Sequence, residues 1–273
     1  DYKRFWTTTS LRGLIGCSLK VGVLEEGVHS GGASGHVPSS FRIARQLLSR
    51  LEDENTGEIK LKELHTDVPN HRISETKVFV DILGQEVVDE FPWQDKTRPS
   101  TEDLLEGVLR RTWRPALSVV GANGLPPSEN AGNVLRPYTE LQLSIRIPPM
   151  VDPLLAQKSI VKHLTEDVPY NATVVVETEE AAAGWSAPKT SDWLAKAIEK
   201  ASLNHFEERD CSMSEGGTIP FMAMLGEKYP EAQFVITGVL GPNSNAHGPN
   251  EFLHIPYAKK LTCCIASIIN DFN

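Results

Sequence analysis

Ten residues, Tyr138 to Ile147, constrain the fold more than any other stretch of the chain. Leu141, Leu143, Ile145 and Ile147 alternate there with Glu140, Gln142, Ser144 and Arg146. A period of two sends one set of side chains to each face of a pleated strand. The pattern predicts a strand in an antiparallel sheet, packed on one side and solvated on the other. Leu14 to Leu24 reads as a second strand, Ala116 to Gly121 as a third, and Asn171 to Thr178, rich in Val and Thr, as a fourth. Phe41, Ile43, Ala44, Leu47, Leu48 and Leu51 recur at helical spacing, and Asp152-Pro153 opens a second helix that runs to about Glu166. Shorter helices are expected over Glu75 to Leu83 and Thr101 to Arg111. Their order is that of a βαββαβ unit carrying extra segments.

The pattern changes near Ala183-Gly184-Trp185. Beyond it come a helix from Trp193 to Leu203, a Gly216-Gly217 turn, an apolar run from Gln233 to Leu240 that reads as a buried strand, and a last helix from about Pro256. These suit the edge of an α/β sheet, so the fold class expected is α/β and α+β together. A length of 273 residues fits about two domains. The net charge of −9 argues against nucleic acid, which needs a basic footprint. No apolar run approaches the roughly 20 residues of a membrane span. Cys17, Cys211, Cys263 and Cys264 have no CxxC spacing, and Cys263 and Cys264 read as buried small hydrophobes in a reducing, cytoplasmic compartment. The opening, Asp1-Tyr2-Lys3-Arg4-Phe5-Trp6, reads as the middle of a longer polypeptide.

Four short motifs could carry chemistry. His247 lies in a Gly/Pro/Asn/Ser loop, residues 241–251, directly after the expected strand. Ligands of open α/β sheets sit at the carboxyl ends of strands, and neutral imidazole is a common metal ligand. A lone histidine is equally compatible with a plain turn. Arg146 projects from the polar side of its strand, where its fork can grip a carboxylate through two hydrogen bonds or simply face water. Gly216-Gly217 allows close backbone approach and amide donation to a ligand, and equally a helix-start turn. Glu215 could pair with a substrate ammonium or favour the following helix N-terminus. His29 stands in a glycine-rich loop from which it could reach a ligand. The other six histidines show no metal-like spacing.

Taken in order, these motifs resemble the M20 family of zinc metallopeptidases, which includes cytosolic dipeptidases, carboxypeptidases and deacylases of N-acyl amino acids. Thr8-Thr9-Ser10-Leu11-Arg12-Gly13 resembles the family's "LRG" strand, and Gly27-Val28-His29-Ser30-Gly31 its "HSG" loop. Ser144-Ile145-Arg146 resembles the arginine strand of its lid. Glu215 to Pro220 resembles its "GGSIP" turn, and Asn245 to Glu251 its last metal-ligand loop.

The resemblance implies a βαββαβ lid (dimerisation) domain over residues 12–184 and part of a zinc-peptidase-like α/β catalytic domain. Residues 185–273 would be the C-terminal portion of that domain and 1–11 the end of its N-terminal portion. It further implies two zinc ions in the complete enzyme, with manganese or cobalt as substitutes, and hydrolysis of the amide bond of a dipeptide or N-acyl amino acid by zinc-activated water. His247 would be a metal ligand. His29 would polarise the scissile carbonyl from the other subunit of a homodimer. Arg146 would clamp the substrate carboxylate, and Asn133, Glu215, Gly216, Gly217 and Thr218 would contact substrate. The family's other ligands, an HxD pair, a bridging aspartate, a Glu-Glu pair and a further acidic residue, are expected upstream of residue 1. Glu25-Glu26 and Glu179-Glu180 lie in the lid and do not replace them. The alternative reading is a dimerisation or ligand-binding fragment without catalysis.

Overall fold

The computed structural model describes residues 1–272. Two compact units share the chain, and each is built from separated stretches. The first stretch holds β1 (Trp6–Leu11). The next, Arg12–Thr66, holds β2 (Gly13–Gly22), β3 (Val28–His29), the one-turn α1 (Ser30–Ala33) and α2 (Ser40–Leu51). Asp67–Thr112 holds α3 (Asn70–Leu83), α4 (Glu86–Asp89) and α5 (Leu104–Thr112). Trp113–Gly184 holds β4 (Ala116–Asn123), β5 (Val134–Leu135), β6 (Tyr138–Ile147), α6 (Pro153–Thr165) and β7 (Thr173–Thr178). From Trp185 follow β8 (Trp185–Ser186), α7 (Asp192–Phe206), β9 (Cys211–Glu215), α8 (Pro220–Lys228) and α9 (Ile255–Asn270).

Residues 12–66 and 113–184 form one unit. Its sheet is antiparallel in the order β4-β6-β2-β7, the arrangement expected of a βαββαβ unit. β2 and β6 pair over ten rungs, and the odd-numbered residues of both strands are buried. Ile15, Cys17 and Leu19 thus meet Leu143, Ile145, Leu47 of α2 and Ile160 of α6 in one core. The even-numbered face, with Ser18, Gln142, Ser144 and Arg146, is only half-buried. Both helices start on side-chain caps. Ser39 accepts from the Arg42 N–H at 3.3 Å. Asp152 accepts from the Leu154 and Leu155 N–H groups at 2.9 and 3.0 Å, with Pro153 at the first helical position.

Residues 1–11, 67–112 and the chain from Trp185 form the other unit. Its sheet has the order β8-β1-β9, with β1 and β9 parallel and β1 and β8 antiparallel. Phe5 and Trp6 pack against Ala197 and Ala201 of α7, Cys264 of α9 and Phe79 of α3. The shared core explains why 67–112, which falls inside the span expected for the lid, groups with this unit. Phe79, Val87 and Val108 are buried here.

The run Gln233 to Leu240 does not form the strand expected from its apolar character. Thr8 N–H donates to the Ile236 carbonyl at 2.8 Å and the Thr237 hydroxyl to the Trp6 carbonyl at 2.7 Å. Further along the same edge of β1, β8 takes the places opposite Ser10 and Leu11, so no continuous ladder can form. Cys264 is buried as expected, but Cys263 is exposed, because adjacent helix positions cannot share one face.

Candidate functional site

The β2–β7 unit carries three of the residues singled out in the sequence. His29 is exposed at the end of β3, where it precedes α1. β3 and β5 form a two-stranded ribbon in which His29 faces Val134. Asn133, one residue away and exposed, accepts a hydrogen bond from the Ser30 N–H through its carbonyl at 2.9 Å. The ribbon therefore brings His29 and Asn133 together. Arg146 sits elsewhere in this unit, on β6 between Leu14 of β2 and Ala116 of β4, half-buried on the polar face.

The other unit carries the rest. Glu215 ends β9, and its Oε1 accepts from the Gly216 and Gly217 N–H groups at 2.9 and 3.4 Å. Glu215 thus closes its own turn instead of serving the start of α8, whose first residue is Pro220 and which has no side-chain cap. The arrangement has a chemical consequence. An anionic ligand would have to displace the Glu215 carboxylate to reach those amides, whereas a cationic ligand could join it. Thr218 lies half-buried just beyond the two glycines.

His247 is exposed in a loop of unusual backbone. Asn243, Asn245, His247 and Asn250 all have φ between +53° and +63°. Asn and His are among the few side chains that tolerate this region, which accounts for the loop's composition. Asn245 Nδ2 donates to the Pro249 carbonyl at 2.6 Å, and the Gly248 N–H donates to the Asn245 carbonyl at 2.8 Å. The His247 N–H donates to Glu251 Oε2 at 3.1 Å. At the stems, Tyr2 stacks on His254 with centroids 4.3 Å apart and donates its hydroxyl to the Pro242 carbonyl. Neither Glu251 nor Tyr2 was identifiable as a supporting residue from the sequence. The spacing of four between His247 and Glu251 was the available signal for the first, and nothing marked the second.

Among the described residues, no group of three or more His, Cys, Asp or Glu could hold a metal ion. The residues present thus do not complete a metal site, and His247 stands as a single candidate ligand. Nor is any helix among them long and apolar enough to cross a membrane.

Comparison with known proteins follows the same lines. Residues 9–171, more than half of the chain, match the M20 peptidase dimerisation domain. A cysteinylglycine-S-conjugate dipeptidase of Corynebacterium striatum is 27% identical over 92% of this chain and 55% of its own length. Among solved structures, a di-peptidase from Saccharomyces cerevisiae has the same fold with a TM-score of 0.76 at 20% identity, over 98% of this chain and 56% of that one. Human carnosine dipeptidase 1 gives 0.73 at 20%, over 99% and 57%. An M20 family metallo-carboxypeptidase from Sulfolobus solfataricus gives 0.74 at 17%, over 97% and 60%. The chain spans about half the length of the curated relative it matches. By its dimerisation-domain match and the ordered motifs around it, the chain belongs to the M20 peptidase family.

Proposed function

We propose that the protein containing these residues hydrolyses the amide bond of a dipeptide or an N-acyl amino acid. The observation that carries this reading is the family match over residues 9–171, joined to the likeness to a curated dipeptidase. In this reading Arg146 binds the substrate carboxylate through its planar fork, and Glu215, Gly216, Gly217, Thr218 and Asn133 line the substrate's path. His29 polarises the scissile carbonyl oxygen, a role for which its exposure on a short, hydrogen-bonded ribbon suits it. His247 is a ligand in the zinc-dependent form of the reading, where the metal supplies an activated water. Because the described residues do not complete a metal site, this reading places the remaining ligands in another part of the protein.

The homodimer belongs to the same reading. β4 is an edge strand, carries no charged residue and exposes Val119 and Val120. Edges kept apart in solution are normally guarded by charge or proline. A cytoplasmic setting fits four free cysteines.

One observation favours a second reading, a dimerising module without catalysis: the absence of a metal-holding group among the described residues. Activity in the full-length protein decides between them. His29→Ala and His247→Ala should each lower kcat/KM for a dipeptide by about a hundredfold or more. Full activity in both variants would sink the hydrolase reading. A metal-free, inactive wild type that still dimerises would favour the second.

A further inference from the structure

We infer that Arg72 and Glu75, at the start of α3, are positioning residues for the Glu215–Thr218 turn and act through a bulge in β1. The inference rests on the reading that this turn meets substrate. β1 and β9 run parallel, with Trp6, Thr7 and Thr8 opposite Cys211, Ser212 and Met213. The register then shifts. Ser10 and Leu11 face Ser214 and Glu215, and Thr9 is left without a partner residue on β9. Bulges are rare in parallel pairs, and they re-aim the side chains that follow them.

The bulged residue sits inside a closed ring of hydrogen bonds. The Thr9 hydroxyl meets Glu75 Oε2 at 2.9 Å and the Met213 carbonyl at 3.2 Å. Glu75 accepts from Arg72 Nη1 through both oxygens, at 3.0 and 2.8 Å. Arg72 Nη2 donates to the Ala187 carbonyl at 2.6 Å, and the Ala187 N–H donates to the Thr9 carbonyl at 2.9 Å. The ring thus grips Thr9 by its side chain and by its backbone. Directly beyond it the Ser10 hydroxyl donates to the Ser214 hydroxyl at 2.8 Å, and the turn begins at the next residue.

Packing alone does not account for the pair. Arg72 is 1% exposed, and its Nε has no hydrogen-bond partner. Glu75 is half-buried beside it, and an ion pair drawn largely out of water is often no more stable than apolar side chains of the same volume, so the geometry that it imposes is what distinguishes it. What this pair imposes is the register of β9 where the turn begins.

The test uses the full-length protein and the double variant R72M/E75L, which removes both charges and leaves neither stranded. The variant should unfold at or above the wild-type temperature. Its Gly216 and Gly217 amides should exchange with solvent about tenfold faster, while those of α7 are unchanged. KM for a dipeptide should rise about tenfold with kcat within about twofold. Unchanged exchange at both glycines, in a folded variant, overturns the inference. If the wild-type protein hydrolyses no peptide, the substrate reading fails and the exchange rates alone decide this one. Should the double variant not fold, Thr9→Val, which keeps the side-chain shape and removes the hydroxyl, is read in the same way. An unchanged glycine exchange in Thr9→Val then counts against the ring.

Discussion

Gly13 shows why a single small residue in the "LRG" motif is fixed by the fold. A Cβ there would lie 2.6 Å from the Ala182 carbonyl oxygen, 2.7 Å from the Ile147 side chain and 2.9 Å from the Gly184 N atom. Two of the three are backbone atoms, and Ala182 is already tied to Leu14 by two backbone hydrogen bonds, so they cannot yield cheaply. Gly13→Ala should therefore destabilise the protein by about 1–3 kcal/mol, measured by denaturant unfolding. The cysteines separate at the same scale. Burial pushes the Cys17 and Cys264 thiols up to about 11 and that of Cys211 up to about 12. Thiolate is the reactive form, so these three should resist alkylation near pH 8 while exposed Cys263 is modified first, as peptide mapping would reveal. Equal labelling of all four would contradict the buried assignments. The sequence reads adjacent Cys263 and Cys264 alike as buried, and the structure corrects this for Cys263. Arg72 and Glu75 were hidden because the helix expected from Glu75 starts at Asn70, which puts the two charges one turn apart on the same helix.

At the level of elements, local signals and structure agree where one face of a strand or helix is buried. β6 matches its alternation residue for residue, and α6 begins at the Asp152-Pro153 start read in the sequence. Asp152→Ala removes the acceptor for two N–H groups and should cost about 1 kcal/mol, read as a lowered denaturant midpoint. A change within the scatter of the measurement would mean that Pro153 and packing suffice. The disagreement at Gln233 to Leu240 is equally instructive. Composition made it a strand, but a strand needs an open edge, and β8 already takes that edge of β1 at Ser10 and Leu11. β1 and β9 had no periodic pattern, because nearly every residue of β1 is buried on both faces and β9 has only five residues. Of the candidate site, the sequence marked His29, Arg146, Glu215 and His247 as candidates. The turn closed by Glu215 and the left-handed backbone around His247 became visible only in three dimensions.

For the whole molecule, the prediction concerns association. If β4 is the edge through which two copies meet, Val120→Lys places a charge on that edge, where Val120 is 64% exposed. The variant should remain folded and sediment as a monomer under conditions where the wild type is a dimer. A variant that stays dimeric moves the interface elsewhere in the β2–β7 unit. The division of the chain matters at this scale too. Neither unit is a continuous segment, so cutting at Arg12 and Gly184 would carry residues 67–112 away from the core to which Phe79 and Val108 belong.

The parallel pairing of β1 with β9 has a further consequence, for the order in which the molecule is made. The hydroxyl of Thr9 bonds to a carbonyl 204 positions further along the chain. At ordinary translation speeds of about 5–20 residues per second, β1 leaves the ribosome roughly 10–40 s before its partner exists. By then residues 12–66 and 113–184 have both been synthesised, so the antiparallel sheet can be complete while Phe5 and Trp6 still lack α9. β1 is thus the first of these elements to be synthesised and among the last to find its place. During that interval it is a strand with two open edges and with Trp6 and Leu11 uncovered, a natural client for a chaperone.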